Sequence, residues 1–131
     1  MKLLKIRKKQ NINKRVDKLV KTYKELYKLS DYPNMGVYRI YCIVNGKSYI
    51  GSSTDINARY KHHISQLNAG KHSNKRFQED WRKFGQDNFI FEKLKSPTKD
   101  ISKGELWDME QKYIKAEKRL YNVIRKVNPY Y

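Results

Sequence analysis

The chain has one cysteine, Cys42, in 131 residues. That leaves no intramolecular disulfide and no cysteine-rich zinc site, and it points to a reducing, cytoplasmic setting. Long apolar runs are missing too. Nothing approaches the ~18–20 residues of a spanning helix, so no membrane association is expected. The start MKLLKIRKKQ carries basic residues without the apolar core of a secretory signal. There is no glycine-rich phosphate loop, internal repeat or low-complexity tract. Acidic residues are scarce: 13 Asp and Glu face 30 Lys and Arg, a net charge of +17. A surface so basic calls for a polyanionic partner, and nucleic acid is the default. The apolar share, 38%, lies under the ~45–50% of ordinary globular chains, yet apolar residues recur periodically. One folded core with appendages is expected.

The charge is uneven. Residues 1–31 hold eleven Lys and Arg against three acids. Val16, Leu19, Val20, Tyr23, Leu26 and Tyr27 follow helical spacing, so residues 14–29 read as an amphipathic helix behind a flexible basic arm. Pro33 breaks the pattern. The chain therefore divides into a basic N-terminal part, 1–35, and a domain over 36–131.

From Gly36 the pattern turns to strand. Aromatic and β-branched residues crowd 37–44, Asn45-Gly46 signals a hairpin, and Lys47–Gly51 returns. A helix follows, with Thr54 as its expected N-cap, Ile56, Tyr60, Ile64 and Leu67 on one face, and Gly70 as terminator. A second helix starts near Ser73 or Asn74, buries Phe77, Trp81 and Phe84, and stops at Gly85. Residues 88–94, NFIFEKL, read as a third strand. Ser102 with Glu105 forms a capping-box signal for a last helix with Leu106, Met109 and Tyr113 on its apolar stripe. LYNVI, residues 120–124, closes the ordered part as a short strand or extended segment. The expected fold is α+β: a small three-stranded antiparallel sheet flanked by helices, with an extra basic N-terminal helix.

A strict two-residue turn at Asn45-Gly46 would pair Val44 with Lys47 and Cys42 with Tyr49. Tyr49 would then share a face with Cys42, Ile40 and Tyr38. The two tyrosines would stand four residues apart, roughly 13 Å at ~3.3 Å per residue. Either a substrate spans that gap or the loop is wider than two residues.

GVY at 36–38, ten intervening residues and YIG at 49–51 resemble the paired signature of the GIY-YIG nucleases. Arg59 on the next helix, His63 one turn later, His72 at the following loop, Glu110 on a later helix and Asn122 near the end continue that family's motif order. ARYKHHISQLNAGKHS and EQKYIKAEKRLYNV look most like the catalytic domains of phage and intron homing endonucleases. The resemblance implies a metal-dependent endonuclease that hydrolyses phosphodiester bonds in double-stranded DNA. It implies Tyr38, Tyr49, Arg59, His63 and Glu110 as catalytic residues, with Glu110 holding one Mg²⁺ for which Mn²⁺ could substitute. Gly51, Lys47, His72 and Asn122 would bind or position the substrate. A restriction or repair nuclease on the same fold, or a basic binding module that does not cut, are the alternatives.

The residues themselves are compatible with this chemistry. Arg59 and His63, at i and i+4, share a helix face, and a guanidinium beside an imidazole suits a phosphate. Glu110 lies at the edge of an apolar stripe, where a carboxylate needs a cation, and Mg²⁺ accepts one carboxylate plus phosphate oxygens and waters. A tyrosine of ordinary pKa, ~10, is a poor base at neutral pH. Tyr38 or Tyr49 in that role would need the positive surroundings that Arg59, Lys47 and His63 offer. The base stays open among Tyr38, Tyr49 and His63. Homing enzymes of this type tether a DNA-reading module downstream, and none is recognisable after Asn122. Target selection would then fall to the N-terminal segment, to loops, to a partner protein or to a missing part.

Overall fold

The computed structural model describes residues 15–16, 34–124 and 128–130. Apart from Arg15 and Val16, the helix expected over 14–29 and the basic arm lie outside the described residues.

Strand β1 (Gly36–Cys42) runs antiparallel to β2 (Ser48–Ser53) and, on its other edge, to β3 (Phe89–Lys95), giving the order β2-β1-β3. Gly36 opens β1 because a side chain there would run into the Lys95 carbonyl. The hairpin departs from the two-residue turn. Cys42 donates its N–H to the Lys47 carbonyl at 2.9 Å, and Gly46 donates to the Cys42 carbonyl, also at 2.9 Å. The loop is thus residues 43–46. Asn45 explains the extra length, since its Oδ1 accepts the Lys47 N–H at 3.0 Å, while Gly46 takes a φ of 74° that suits glycine. Tyr49 therefore faces Ile40, not Cys42, and Tyr38 faces Gly51. Because the slip is two residues, side-chain parity survives. The offset between Tyr38 and Tyr49 falls from four residues to two, about 7 Å along the strand.

Helix α1 (Ile56–Asn68) begins one residue later than expected. Its N-cap is Asp55, whose carboxylate accepts the Ala58 N–H at 3.1 Å, instead of Thr54. Helix α2 (Lys75–Phe84) is capped by Asn74 and ends at Gly85, φ 82°. A 3₁₀ turn, Gln86–Asn88, leads into β3. Helix α3 (Lys103–Ala116) opens on the Ser102–Glu105 capping box, with both reciprocal bonds formed. The expected three-stranded α+β fold is the one observed.

The sheet separates two cores. Tyr38, Ile40, Cys42 and Phe89 pack with Ile56 and Leu67 of α1, Phe77 and Trp81 of α2, and Tyr121. Phe77 is wholly buried between rings, so truncating it to alanine should cost about 3–5 kcal/mol. On the other face a smaller cluster joins Val37, Ile50 and Ile114, with Leu94, Met109, Tyr113 and Leu120 at its margin.

The segment after α3 docks on the free edge of β2. Leu120 forms a parallel bridge with Ser48. Asn122 then imitates a strand with its side chain, as Oδ1 accepts the Ile50 N–H at 2.8 Å and Nδ2 donates to the Ile50 carbonyl at 2.6 Å. The extended segment expected from LYNVI is thus one bridge and one amide clamp. Among the described residues no helix is long and apolar enough to cross a membrane.

Candidate active site

The β1–β2 hairpin, α1, α3 and the docked C-terminal segment enclose a cleft of about 350 Å³. Tyr38, Tyr49, Gly51, Arg59, Glu110 and Asn122 line it, which brings six of the residues singled out in the sequence to one place. The fold explains each position. Tyr38 and Tyr49 point from adjacent strands to one face, Arg59 sits in the first turn of α1, and Glu110 lies mid-way along α3. A β-carbon on Gly51 would land inside the Tyr38 phenol, so this glycine makes room for the tyrosine facing it.

His63 and His72 stand behind the cleft. His63 has no exposed surface and His72 is 7% exposed, although Arg59, one turn before His63, is exposed. An i, i+4 spacing sets direction but not depth. The histidines form a relay: Tyr38 Oη lies 2.6 Å from His63 Nε2, and His63 Nδ1 lies 2.8 Å from His72 Nε2. The far end fixes its direction, because the Asn74 backbone N–H reaches His72 Nδ1 at 3.0 Å and a backbone N–H only donates. A neutral His72 therefore carries its proton on Nε2 and gives it to His63 Nδ1. A neutral His63 in turn carries its proton on Nε2 and donates to the Tyr38 oxygen.

The electrostatics agree with two neutral imidazoles. Burial first, then the nearby Arg59 charge, pushes His63 down to about 3 and moves His72 in the same direction. Burial, reinforced by Tyr49, raises Tyr38 well above the ordinary phenol value, while the Arg59 guanidinium opposes this by charge and by hydrogen bond. At neutral pH Tyr38 is a phenol, and Arg59 is the cation that acts on it. Tyr49 is fixed by ring packing, with centroids 5.0 Å from His63, 5.6 Å from His72 and 5.3 Å from Phe77. Lys47 stands 5.9 Å from the Tyr121 ring centroid and is not among the residues lining the cleft.

Among the described residues no group of three or more His, Cys, Asp or Glu gathers in the manner of a metal cage. The cleft instead offers the Glu110 carboxylate with the Gln111 amide beside it. That donor set fits a hard divalent ion such as Mg²⁺, which keeps several waters and takes its remaining ligands from substrate phosphate.

The sequence pattern singles out neither Trp107 nor Tyr130, and marks Ser73 and Asn74 only as a helix start; all four also line the cleft. Trp107 carried a usable signal, since it lies one helical turn before Glu110.

A three-stranded sheet, tyrosines facing an arginine, and a carboxylate across the cleft define a small catalytic domain of nuclease type. Residues 34–122 match the family described as the GIY-YIG catalytic domain, and the chain belongs to that family. It is similar to intron-associated endonuclease 1 of Enterobacteria phage T4, 38% identical over 50 residues, which cover 38% of this chain and 20% of that protein. It is also 37% identical over 82 residues to a probable intron-encoded endonuclease 1 of Neurospora crassa, covering 60% of this chain and 26% of the relative. The chain thus spans about a quarter or less of these relatives. The catalytic domain of homing endonuclease I-TevI superposes with a TM-score of 0.58 at 28% identity, over 73% of this chain and 95% of that one. A mutant of that catalytic domain gives 0.56 at 29% identity, over 63% of this chain and 81% of the other.

Proposed function

We propose that this chain is a divalent-metal-dependent endonuclease of homing or mobile-element type, hydrolysing phosphodiester bonds in double-stranded DNA. The observation that carries this reading is the convergence of Tyr38, Tyr49, Arg59 and Glu110 on one cleft in a chain of net charge +17. In the reaction a water oxygen bonds to phosphorus, the bond from phosphorus to the 3′ oxygen breaks, and one proton must leave the water. Arg59 lies where it would neutralise charge gathering on the phosphate. The Tyr38 oxygen accepts hydrogen bonds from His63 and Arg59, the pairing that stabilises a tyrosinate once its proton departs. Tyr38 is accordingly assigned as the group that orients the water; it takes the water's proton only as the tyrosinate, formed when its own phenol proton has passed to solvent through the open cleft, with His63 and His72 acting through it by hydrogen bond and Tyr49 beside it in the cleft. A divalent cation held by Glu110 would supply positive charge at the phosphate and the leaving oxygen. Gly51 and Asn122 keep Tyr38 and β2 in place. Lys47 and the N-terminal region, residues 1–35, contribute affinity for the polyanion, with a partner protein or further module choosing the target.

Supercoiled plasmid incubated with the chain and Mg²⁺ should be converted to nicked or linear form. Mn²⁺ should support the conversion and EDTA should stop it. Tight binding with no conversion in either metal would instead identify a binding module that does not cut.

A further inference from the structure

Helix α3 turns a continuous stripe into the cleft. Trp107, Glu110, Gln111 and Ile114 follow the spacing i, i+3, i+4, i+7, and all four line it. Carboxylate and amide have evident uses there, but an indole does not. The two tryptophans of the chain differ sharply. Trp81 is 5% exposed, its Nε1–H donates to Asn68 Oδ1 at 3.0 Å, and its ring packs on Phe77 and Phe89. Trp107 is only half-buried and, among the described residues, makes neither a ring contact nor a side-chain hydrogen bond. A large aromatic surface with an unpaired N–H is thus left open in a polar cleft, one turn from Glu110.

A second aromatic residue, Tyr130, lines the same cleft. Its backbone N–H donates to Asn128 Oδ1 at 2.8 Å. Asn128 Nδ2 in turn donates to the Gly104 carbonyl and to Asp108 Oδ1, each at 3.1 Å. The segment carrying Tyr130 is therefore tied to the first turns of α3, beside Trp107. A cleft of about 350 Å³ lies near the bottom of the ~300–1,000 Å³ range of small-ligand sites, room inside it for about one nucleotide unit of a strand lying across its mouth.

We infer that Trp107 stacks on a nucleobase turned out of its helix beside the phosphate that faces Arg59 and Glu110, so that the preferred substrate is DNA locally unpaired at the cut. The inference rests on the nuclease reading of the cleft and adds the state of the strand it accepts. Stacking on an aromatic face tolerates any base, so Trp107 would report strand opening and not sequence.

The test uses the full chain without divalent cation, an oligothymidylate, and an abasic phosphodiester of equal length, followed by tryptophan emission. Oligothymidylate should quench the emission of Trp107. The abasic strand should bind through its charge and leave emission unchanged. Trp107→Phe should remove the quenching while retaining affinity and melting temperature. Trp107→Ala should weaken oligothymidylate binding about tenfold relative to the abasic strand. Failure of oligothymidylate to bind, equal quenching by both strands, persistent quenching of Trp107→Phe, or equal losses for both ligands in Trp107→Ala would each overturn the assignment. No cutting is read, so an inactive protein in the plasmid assay would defeat the nuclease reading without deciding this one.

Discussion

Tyr49, Ile50 and Gly51 are consecutive on β2, yet they belong to two different interiors. Tyr49 and Gly51 face the aromatic side, where Tyr38, His63, His72 and Phe77 meet through ring contacts and hydrogen bonds. Ile50 faces the aliphatic side with Val37 and Ile114. Both interiors are buried, but only the first contains imidazoles. The same packing that hides the imidazoles from solvent keeps them neutral and aims them at Tyr38. On that face stability and chemistry share the same contacts. On the other face the contribution is mainly burial, with Ile114 alone of the buried cluster also reaching the cleft wall. Substitutions should therefore separate the two faces by their ratio of lost activity to lost stability.

The largest effect belongs to the cleft wall. Glu110→Gln keeps the size of the side chain and removes the carboxylate charge, so cleavage should fall by about three orders of magnitude, the upper end for losing one charge-stabilising group. DNA affinity should hold or rise, since one negative charge leaves a basic surface. Plasmid cleavage and filter binding measured side by side check this, and substantial Mg²⁺-dependent cutting would sink the metal assignment.

Arg59→Ala should follow with a loss of a few hundredfold in single-turnover rate and an unchanged melting temperature, because Arg59 is exposed. His62→Ala, also exposed and outside the cleft lining, serves as the control. A normal rate for Arg59→Ala would reduce that residue to a surface charge. Gly51→Ala probes the shared contacts directly. Its new methyl would collide with the Tyr38 ring, costing about 1–3 kcal/mol by overpacking and about a hundredfold in rate by moving the phenol. A drop in melting temperature without a drop in rate would show that Tyr38 does no chemistry.

The relay also predicts a pH dependence. His63 falls to about 3 in the fold from ~6.5 when unfolded. Below ~6.5 the unfolded chain binds a proton that the folded chain refuses, so stability is lost as pH falls toward 3, by up to ~1.4 kcal/mol per unit. Above ~6.5 this contribution is complete and flat. Melting temperatures at pH 7.5 and 5.5 should differ more for the native chain than for His63→Asn. Equal differences would mean that His63 titrates normally.

The sequence made the element order legible because its stop and start signals are local. Asn74, Gly85 and the Ser102–Glu105 box each act within one helical turn. The hairpin register was hidden because Asn45 spends its side chain on the Lys47 N–H, a choice that the Asn-Gly pair does not advertise. Parity nevertheless carried Tyr38 and Tyr49 to the correct face. The membership of the cleft was largely readable from motif order, whereas depth was not. Arg59 and His63 share a helical direction, and only the sheet beneath α1 decides that one is exposed and the other sealed. Trp107 has only its place one turn before Glu110 to mark it in the sequence, because a half-buried aromatic beside the buried stripe of α3 otherwise looks the same as core margin.

The smallest expected effect tests the aliphatic face. Ile50 is 2% exposed and lies between two residues of the cleft, while its own side chain points away from it. Ile50→Val removes one methylene from the cluster with Val37 and Ile114, leaves the backbone bonds to Asn122 in place, and keeps a β-branched residue in the strand. The cost should be about 0.5–1.5 kcal/mol, a fall of several degrees in melting temperature. Cleavage below that melting range should equal that of the native chain, since Ile50 is not among the residues lining the cleft. If Ile50→Val instead slowed cleavage as much as it lowered stability, the two interiors would be mechanically coupled through β2, and the division of the sheet into a working face and a supporting face would fail.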